Sequence, residues 1–278
     1  MFDAAAAQVA GRRLTVCSPF GYHARMDVEM ILSLLPFAAI LCAGIFVQAA
    51  AGFAAGLVIV PALLWCGYSI PAAQCSLLVA TIPQNIWGVW SLRESIEPKE
   101  VVWPGLGRVL FLPTGIVVLQ LMSSIDEGTV RQLVGLIVLL VTLAIIFIRP
   151  KPRERLHPLW AIIAFPLSGF FQGLVGMGGP PMVFWVQAHD WSTEKTRSFL
   201  FMMYLVSIFP ALAFLYLAFG NVVIEPGLIA LAMIPVLWVV TCFGLKFGSM
   251  LGRQRLRRIT LGLLLLMGVA GVVGPMVS

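Results

Sequence analysis

Apolar residues run through this chain in long unbroken stretches, not at the every-third-or-fourth spacing of a helix with one wet face. No Asp, Glu, Lys or Arg occurs from Met30 to Leu92, and further charge-free runs cover 109–125, 132–148, 158–189, 198–224, 226–245 and 259–278. A helix that crosses a bilayer needs about 20 apolar residues, so these runs predict membrane spans. Transmembrane strands alternate apolar and polar positions. No such alternation is present, and the fold class expected is all-α: a polytopic membrane helical bundle.

The first run is too long for one helix and is interrupted at Pro36, at the AAAG of 49–52, at Gly56 and at Pro61. It predicts an entering piece over 31–48, a break and a returning piece over 53–67. Spans follow at 72–92, 104–122 and 130–148. The second half repeats the layout, with an entering piece over 159–172, a break, a returning piece over 180–189, and spans at 198–219, 226–246 and 259–277. Each half thus carries five helical pieces: repeat 1 over 30–148, repeat 2 over 159–278, and a linker over 149–158. Whether the paired pieces cross fully or turn back midway stays open. Residues 1–29 read as a tail, either disordered or preceding the true start, with Met26 or Met30 opening the first span.

The two breaks match. Residues 48–56 read QAAAGFAAG and residues 172–181 read QGLVGMGGPP. Laid on each other without a gap, Phe46 meets Phe170, Gln48 meets Gln172 and Gly52 meets Gly176. Interrupted apolar segments in corresponding positions of two halves point to a transporter's substrate site. The same small residues also suit close helix packing.

Composition agrees with the pattern. The chain is 60% hydrophobic and 11% charged, against about 25% charged for a soluble domain. The net charge of +6 does not call for nucleic acid, because the cations cluster between spans, where they set orientation. Arg149, Lys151, Arg153 and Arg155 place 149–157 in the cytoplasm. Lys246, Arg253, Arg255, Arg257 and Arg258 do the same for 246–258. The stretches 219–226 and 123–129, with only Glu225, Asp126 and Glu127, suit the outside. Parity then requires 158–189 to enter and leave on the cytoplasmic side and 30–67 to enter and leave on the outer side. The halves are expected to be inverted repeats, each a broken or re-entrant helical hairpin plus three transmembrane helices. The five cysteines lack ligand spacing, and Cys42, Cys66, Cys75 and Cys242 read as small core residues. Trp87, Trp90, Trp103, Trp160 and Trp191 suit an interfacial belt.

No HExxH, GxSxG, Walker loop or buried carboxylate pair is present, so no enzyme and no cofactor is expected. The candidate chemistry is anion binding. No formal positive charge is expected at the centre of a span, where it would cost about 2.5–3.5 kcal/mol on insertion scales. The N-terminus of a half-helix offers about half a positive charge and free N–H groups instead. Two such termini are expected, near Gly52 and Phe53 with Gly56, and near Gly176, Gly178 and Gly179. Pro180 and Pro181 suit a first helical turn. The Gln48 and Gln172 amides can donate to an oxyanion, or bond between helices. Thr81, Gln84 and Asn85 sit beside Pro83 and either line a pathway or cap a kink; Ser207 with Pro210 reads the same way. Arg197 either guides anions or anchors a helix end. His189 and Asp190 either titrate with transport or are solvated.

With Gln48-x-x-x-Gly52 and the Gly176-Met177-Gly178-Gly179-Pro180-Pro181 run placed in their apolar segments, residues 30–278 resemble the TauE/SafE family of sulfite and organosulfonate exporters. The first motif departs from the pattern: its GFAAG carries alanines where glycines are common. The resemblance implies a secondary transporter that exports a small sulfur oxyanion (sulfite, sulfoacetate or a related organosulfonate) across a bacterial inner membrane. The partners expected are that anion and the lipid bilayer; a homodimer and coupling to protons or another ion stay open. The alternatives are a non-transporting structural or assembly protein, and a transporter of another small solute such as a carboxylate.

Overall fold

The computed structural model describes residues 19–51, 54–95, 97–122, 127–147, 153, 156–251 and 253–277. The described residues are helical and hold no strand. The elements are α1 (Pro19–Ala51), α2 (Ala55–Trp65), α3 (Ile70–Ser91), α4 (Pro98–Met122), α5 (Glu127–Phe147), α6 (Pro158–Val175), α7 (Gly179–Gln187), α8 (Thr193–Phe219), α9 (Ile224–Ala232), α10 (Ile234–Leu251) and α11 (Arg253–Val277). Two 3₁₀ turns, Arg93–Ser95 and Gly220–Val223, join neighbours. The chain divides into Met1–Phe37, where α1 begins inside the stretch read as a tail, and Ala38–Ser278, which holds everything discussed below.

Lys99–Met122, Gly128–Phe147, Pro158–Val175 and the stretch Thr193–Ala232 are long and apolar enough to cross a membrane, and shorter apolar helices accompany them. Their outer faces are greasy: Trp103, Phe147 and Leu217 are each 78% exposed. Solvent-like exposure of such side chains over whole helices is what a lipid-facing surface requires. Trp87, Trp90, Trp103 and Trp160 are exposed as an interfacial belt needs. Trp191 is not: it stacks inside a cluster with Trp185, Phe199 and His189, with ring centroids 5.5, 5.5 and 4.6 Å away. The cysteines also divide, Cys75 buried but Cys66 and Cys242 exposed.

The two returning pieces are half-length. α2 has 11 residues and α7 has 9, which at 1.5 Å per residue give about 16 and about 13 Å against a hydrocarbon core of about 30 Å. The hairpin of α6 and α7 brings its own ends together. The Arg153 N–H donates to the Ala188 carbonyl at 2.9 Å, and the Asp190 N–H donates to the Arg153 carbonyl at 3.2 Å. The span expected over 226–246 divides into α9 and α10 at Met233, and α10 and α11 carry helix into 246–258, expected as a loop. α4 begins six residues before the expected 104, because Pro104 sits inside the helix instead of opening it. Neighbouring helices can make up a proline's lost hydrogen bond in a membrane protein.

Glycine packing builds the scaffold around the site. A β-carbon on Gly169 would overlap the Arg108 carbonyl, one on Gly173 the Leu112 carbonyl, and one on Gly115 the Phe170 carbonyl. Gly169 and Gly173 lie one turn apart on α6, so α4 packs backbone to backbone along that face. α5 and α11 meet in the same way at Gly135 and Gly271. The close-packing reading of the small residues is therefore met at Gly173, which belongs to the second break.

Candidate functional site

The two breaks meet at a small cavity of about 50 Å³, more than the roughly 10–15 Å³ that one water needs. Its walls come from the start of α2 (Ala54, Ala55, Gly56, Leu57), from the α6–α7 junction and the start of α7 (Gly176, Met177, Gly179, Pro180), and from α1, α3, α4, α6 and α8. A β-carbon on Gly56 would sit 2.8 Å from the Gly176 carbonyl oxygen. The breaks are in contact.

Each break has a local cause. α6 ends at Gly176, whose φ of +72° is left-handed and favours glycine. The Gly176 N–H bonds back to the Gln172 carbonyl at 3.0 Å, and the Gln74 side chain on α3 donates Nε2–H to the Gly173 carbonyl at 3.3 Å. At the other break Ala54 precedes α2 with φ +92°, a conformation a non-glycine residue adopts only at a cost. Here the alanine of GFAAG does a glycine's work. Gly52 and Phe53 lie outside the described residues.

α3, α6 and α8 are capped by side chains, and α9 is not. Ser69 accepts from the Ala72 N–H at 3.4 Å, His157 from Leu159 at 3.3 Å and Ser192 from Lys195 at 3.1 Å. α2 and α7 have no side-chain cap. Residues of both first turns line the cavity, and the first N–H groups of a helix have no partner inside it. In α7 this supply is thin, since Pro180 and Pro181 carry no N–H.

What reinforces it is a residue the sequence reading missed. Arg108 lies inside α4 and is 1% exposed. The expectation that no formal positive charge lies deep in a span is wrong. Counted from Pro98, Arg108 stands about 15 Å along its helix, near the middle of a bilayer about 30 Å thick. Its Nη1 donates to Ser168 Oγ, to the Gly178 carbonyl at 3.2 Å and toward Met182 Sδ at 2.8 Å; its Nη2 donates to Gln172 Oε1 at 3.0 Å. The guanidinium also lies 5.5 Å from the centre of the Tyr204 ring. Ser168 Oγ donates onward to the Gly178 carbonyl. The Arg108 Nε–H has no partner.

Among the expected residues, Gln48, Gly56, Asn85, Gln172, Gly176 and Gly179 line the cavity, as do Thr81 and Ser207. Gln172 Oε1 accepts from Arg108 and from the Gly178 N–H at 3.3 Å, so its NH₂ is the end left to donate. Gly178 is behind the wall in this network. Gln84 is buried beside Asn85 without lining the cavity. Thr81 and Ser207 turn their hydroxyls back onto carbonyls of their own helices, Thr81 to Leu78 at 3.0 Å and Ser207 to Met203 at 2.9 Å. Arg197 is half-buried in the second turn of α8, away from the cavity. His189 stacks on Trp185 at 4.1 Å and Asp190 is exposed. Among the described residues no carboxylate lines the cavity, and no cluster of His, Cys, Asp and Glu suited to a metal ion occurs.

Two helix N-termini and an arginine thus face one buried space with no counter-charge. A buried cation is normally paired or marks a functional site, and no carboxylate is among the groups that hold Arg108.

Fold and site together define a multi-pass helical membrane protein built around a buried, electropositive cavity. The chain belongs to the sulfite exporter TauE/SafE family, whose model matches residues 36–271. Among curated proteins it is similar to the probable sulfite/organosulfonate exporter TauE of Cupriavidus necator, 23% identical over 257 residues, covering 91% of this chain and 98% of that protein. No solved structure matches it significantly.

Proposed function

We propose that this protein is a secondary transporter that carries a small sulfur oxyanion, sulfite or a related organosulfonate, out across the inner membrane by alternating access. The anion occupies the cavity between the first turns of α2 and α7. Arg108 supplies the formal charge, the uncapped amides of Ala55, Gly56 and Gly179 supply backbone donors, and the Gln48, Asn85 and Gln172 amides orient the oxygens. A cationic centre of this kind replaces the hydration that an anion loses at membrane depth. Tyr204, 5.5 Å beneath the guanidinium, holds that plane in place through its ring face.

The single observation that carries the reading is the buried, uncompensated Arg108. A purely structural arginine would be neutralised by a carboxylate, whereas this one is held by neutral acceptors and leaves Nε–H unused. A cation or a neutral solute would be repelled or left unpaired there. The self-closing α6–α7 hairpin and the half-length α2 and α7 support two inverted repeats, with the hairpins rocking against the remaining helices. The cations of 149–157 put the foot of that hairpin in the cytoplasm.

The test is efflux of radiolabelled sulfite from proteoliposomes containing the purified protein. Saturable efflux that Arg108→Gln abolishes is the expected result. An absence of flux for sulfite, organosulfonates and small carboxylates alike would favour a non-transporting assembly role.

A further inference from the structure

We infer that the site selects an anion that carries its own hydrogen-bond donor, such as hydrogensulfite or a hydroxyl- or amino-bearing sulfonate, and that Asn85 reads that donor. The inference rests on the anion-transport reading above and sharpens it.

It starts from an inventory of buried polar atoms. Arg108 Nε, both amide atoms of Asn85 and both of Gln84 have no hydrogen-bond partner. Asn85 is 1% exposed, lines the cavity and stands on α3 opposite the arginine's helix. Buried side-chain amides left unpaired are costly, and a native structure rarely keeps one without a use. The Arg108 Nε–H, the Gln172 NH₂ and the amides opening α2 and α7 are donors; Gln48 also lines the cavity with a carboxamide, but only Asn85 among the lining residues has both amide atoms buried and unpartnered. A fully deprotonated oxyanion would be met by donors alone. The Asn85 carboxamide is different, because it presents an acceptor, Oδ1, beside a donor, Nδ2. Whichever way the amide turns, one end meets the ligand's oxygens and the other remains for an O–H or N–H.

The neighbouring groups do not remove that acceptor. Thr81, one turn earlier on α3, already donates to the Leu78 carbonyl at 3.0 Å. Ser207, facing from α8, already donates to Met203 at 2.9 Å and to Tyr204 at 3.0 Å. No group of the protein donates to Asn85 Oδ1 in this arrangement. The size of the cavity adds to the selection, since about 50 Å³ suits a compact ion better than an aromatic sulfonate. A site that buries a polar group for one particular partner penalises the analogue that lacks it.

The experiment measures inhibition of labelled sulfite counterflow in proteoliposomes by four unlabelled probes: sulfite, sulfate, and hydroxymethanesulfonate beside methanesulfonate as a matched pair. Sulfite takes up its proton near neutral pH and sulfate does not. The expected result is that sulfite's apparent affinity falls about tenfold from about pH 6 to about pH 8 as the protonated ion disappears. Hydroxymethanesulfonate should compete at least about tenfold better than methanesulfonate, and sulfate should compete weakly throughout. In Asn85→Leu both preferences should shrink below about threefold while sulfite still moves, and Asn85→Ser, which keeps a donor and an acceptor, should restore part of them. Monodispersity and melting temperature in detergent separate this from misfolding. Equal competition by the matched pair in the wild-type protein would overturn the inference, as would preferences unchanged in Asn85→Leu. If sulfite moves without these preferences, anion transport stands and this inference fails. If no anion moves at all, both fail.

Discussion

Gly56 and Gly176 touch: a β-carbon on the first would lie 2.8 Å from the carbonyl oxygen of the second. The chain breaks of the two halves are therefore in contact, and Gly56 cannot gain a side chain without pressing on the Gly176 backbone. Gly176 is the more constrained, since its φ of +72° is also left-handed and a β-carbon there would lie 2.9 Å from Gln74 Cγ. Gly176→Val should abolish sulfite efflux from proteoliposomes while membrane insertion, followed by fractionation, is retained. Gly56→Val should do the same. Wild-type flux in either variant would detach the breaks from transport.

Arg108 should outweigh every other cation in the chain. Arg108→Gln removes a charge-assisted donor worth about 2–3 kcal/mol to an anion, which predicts about a hundredfold loss of apparent affinity. Arg108→Lys should recover little, because an ammonium cannot bridge Ser168, Gly178 and Gln172 together as the planar fork does. Arg197→Gln, at a half-buried position away from the cavity, should weaken transport far less. Concentration-dependent efflux of the three variants, normalised to reconstituted protein, ranks them.

Ala54 offers a change in the opposite direction. Its left-handed backbone, φ +92°, costs an L-residue about 1–2 kcal/mol, and glycine's looser unfolded chain gives back about 0.5–1 kcal/mol of that advantage. Ala54→Gly should raise stability by about 1 kcal/mol or less, seen as a small increase in melting temperature in detergent, with transport kept. A lower melting temperature would show that the alanine methyl contributes more by packing than its backbone costs.

Gly169 tests the scaffold rather than the ligand contacts. A side chain there collides with the Arg108 carbonyl, so Gly169→Leu should push α4 off α6 and lower stability by about 1–3 kcal/mol. Efflux should fall with it, because Ser168 and Gln172 sit on that same face of α6 and hold the guanidinium. A Gly262→Leu control, where the space is open, should leave both readouts unchanged.

The helical class was legible in the charge-free apolar runs, and the two returning pieces and part of the cavity wall were legible for a second reason. A repeat of 124 residues aligns the interruptions, and interruptions at membrane depth are costly enough to be informative. Gln48, Gly56, Gln172, Gly176 and Gly179 follow from that logic, and Asn85 from the polar cluster beside Pro83. Arg108 did not, because α4 was expected to begin at Pro104, which would leave an arginine four residues in, at the interface. The helix in fact starts at Pro98, and the six extra residues carry the charge to mid-depth. The signal was available: VVW before Pro104 is apolar enough to be span, and an arginine flanked by Gly107 and Val109 has no loop character. Ser168, Tyr204 and Gln74 had no signal in the repeat, since their roles depend on which face of each helix meets Arg108 and the α6 terminus. Arg197 drew notice because it opens the span after the second hairpin, and it stands away from the cavity.

The central claim is that an oxyanion sits between Arg108, Asn85 and the opening turns of α2 and α7. Selenite replaces sulfite with a heavier, anomalously scattering centre of the same shape, so crystals grown with it locate the ion directly. The account predicts one strong anomalous peak inside the cavity, within hydrogen-bonding reach of the Arg108 Nε, and its loss in crystals of Arg108→Gln. A peak elsewhere in the protein, or an empty cavity in crystals of protein that transports selenite, would contradict it.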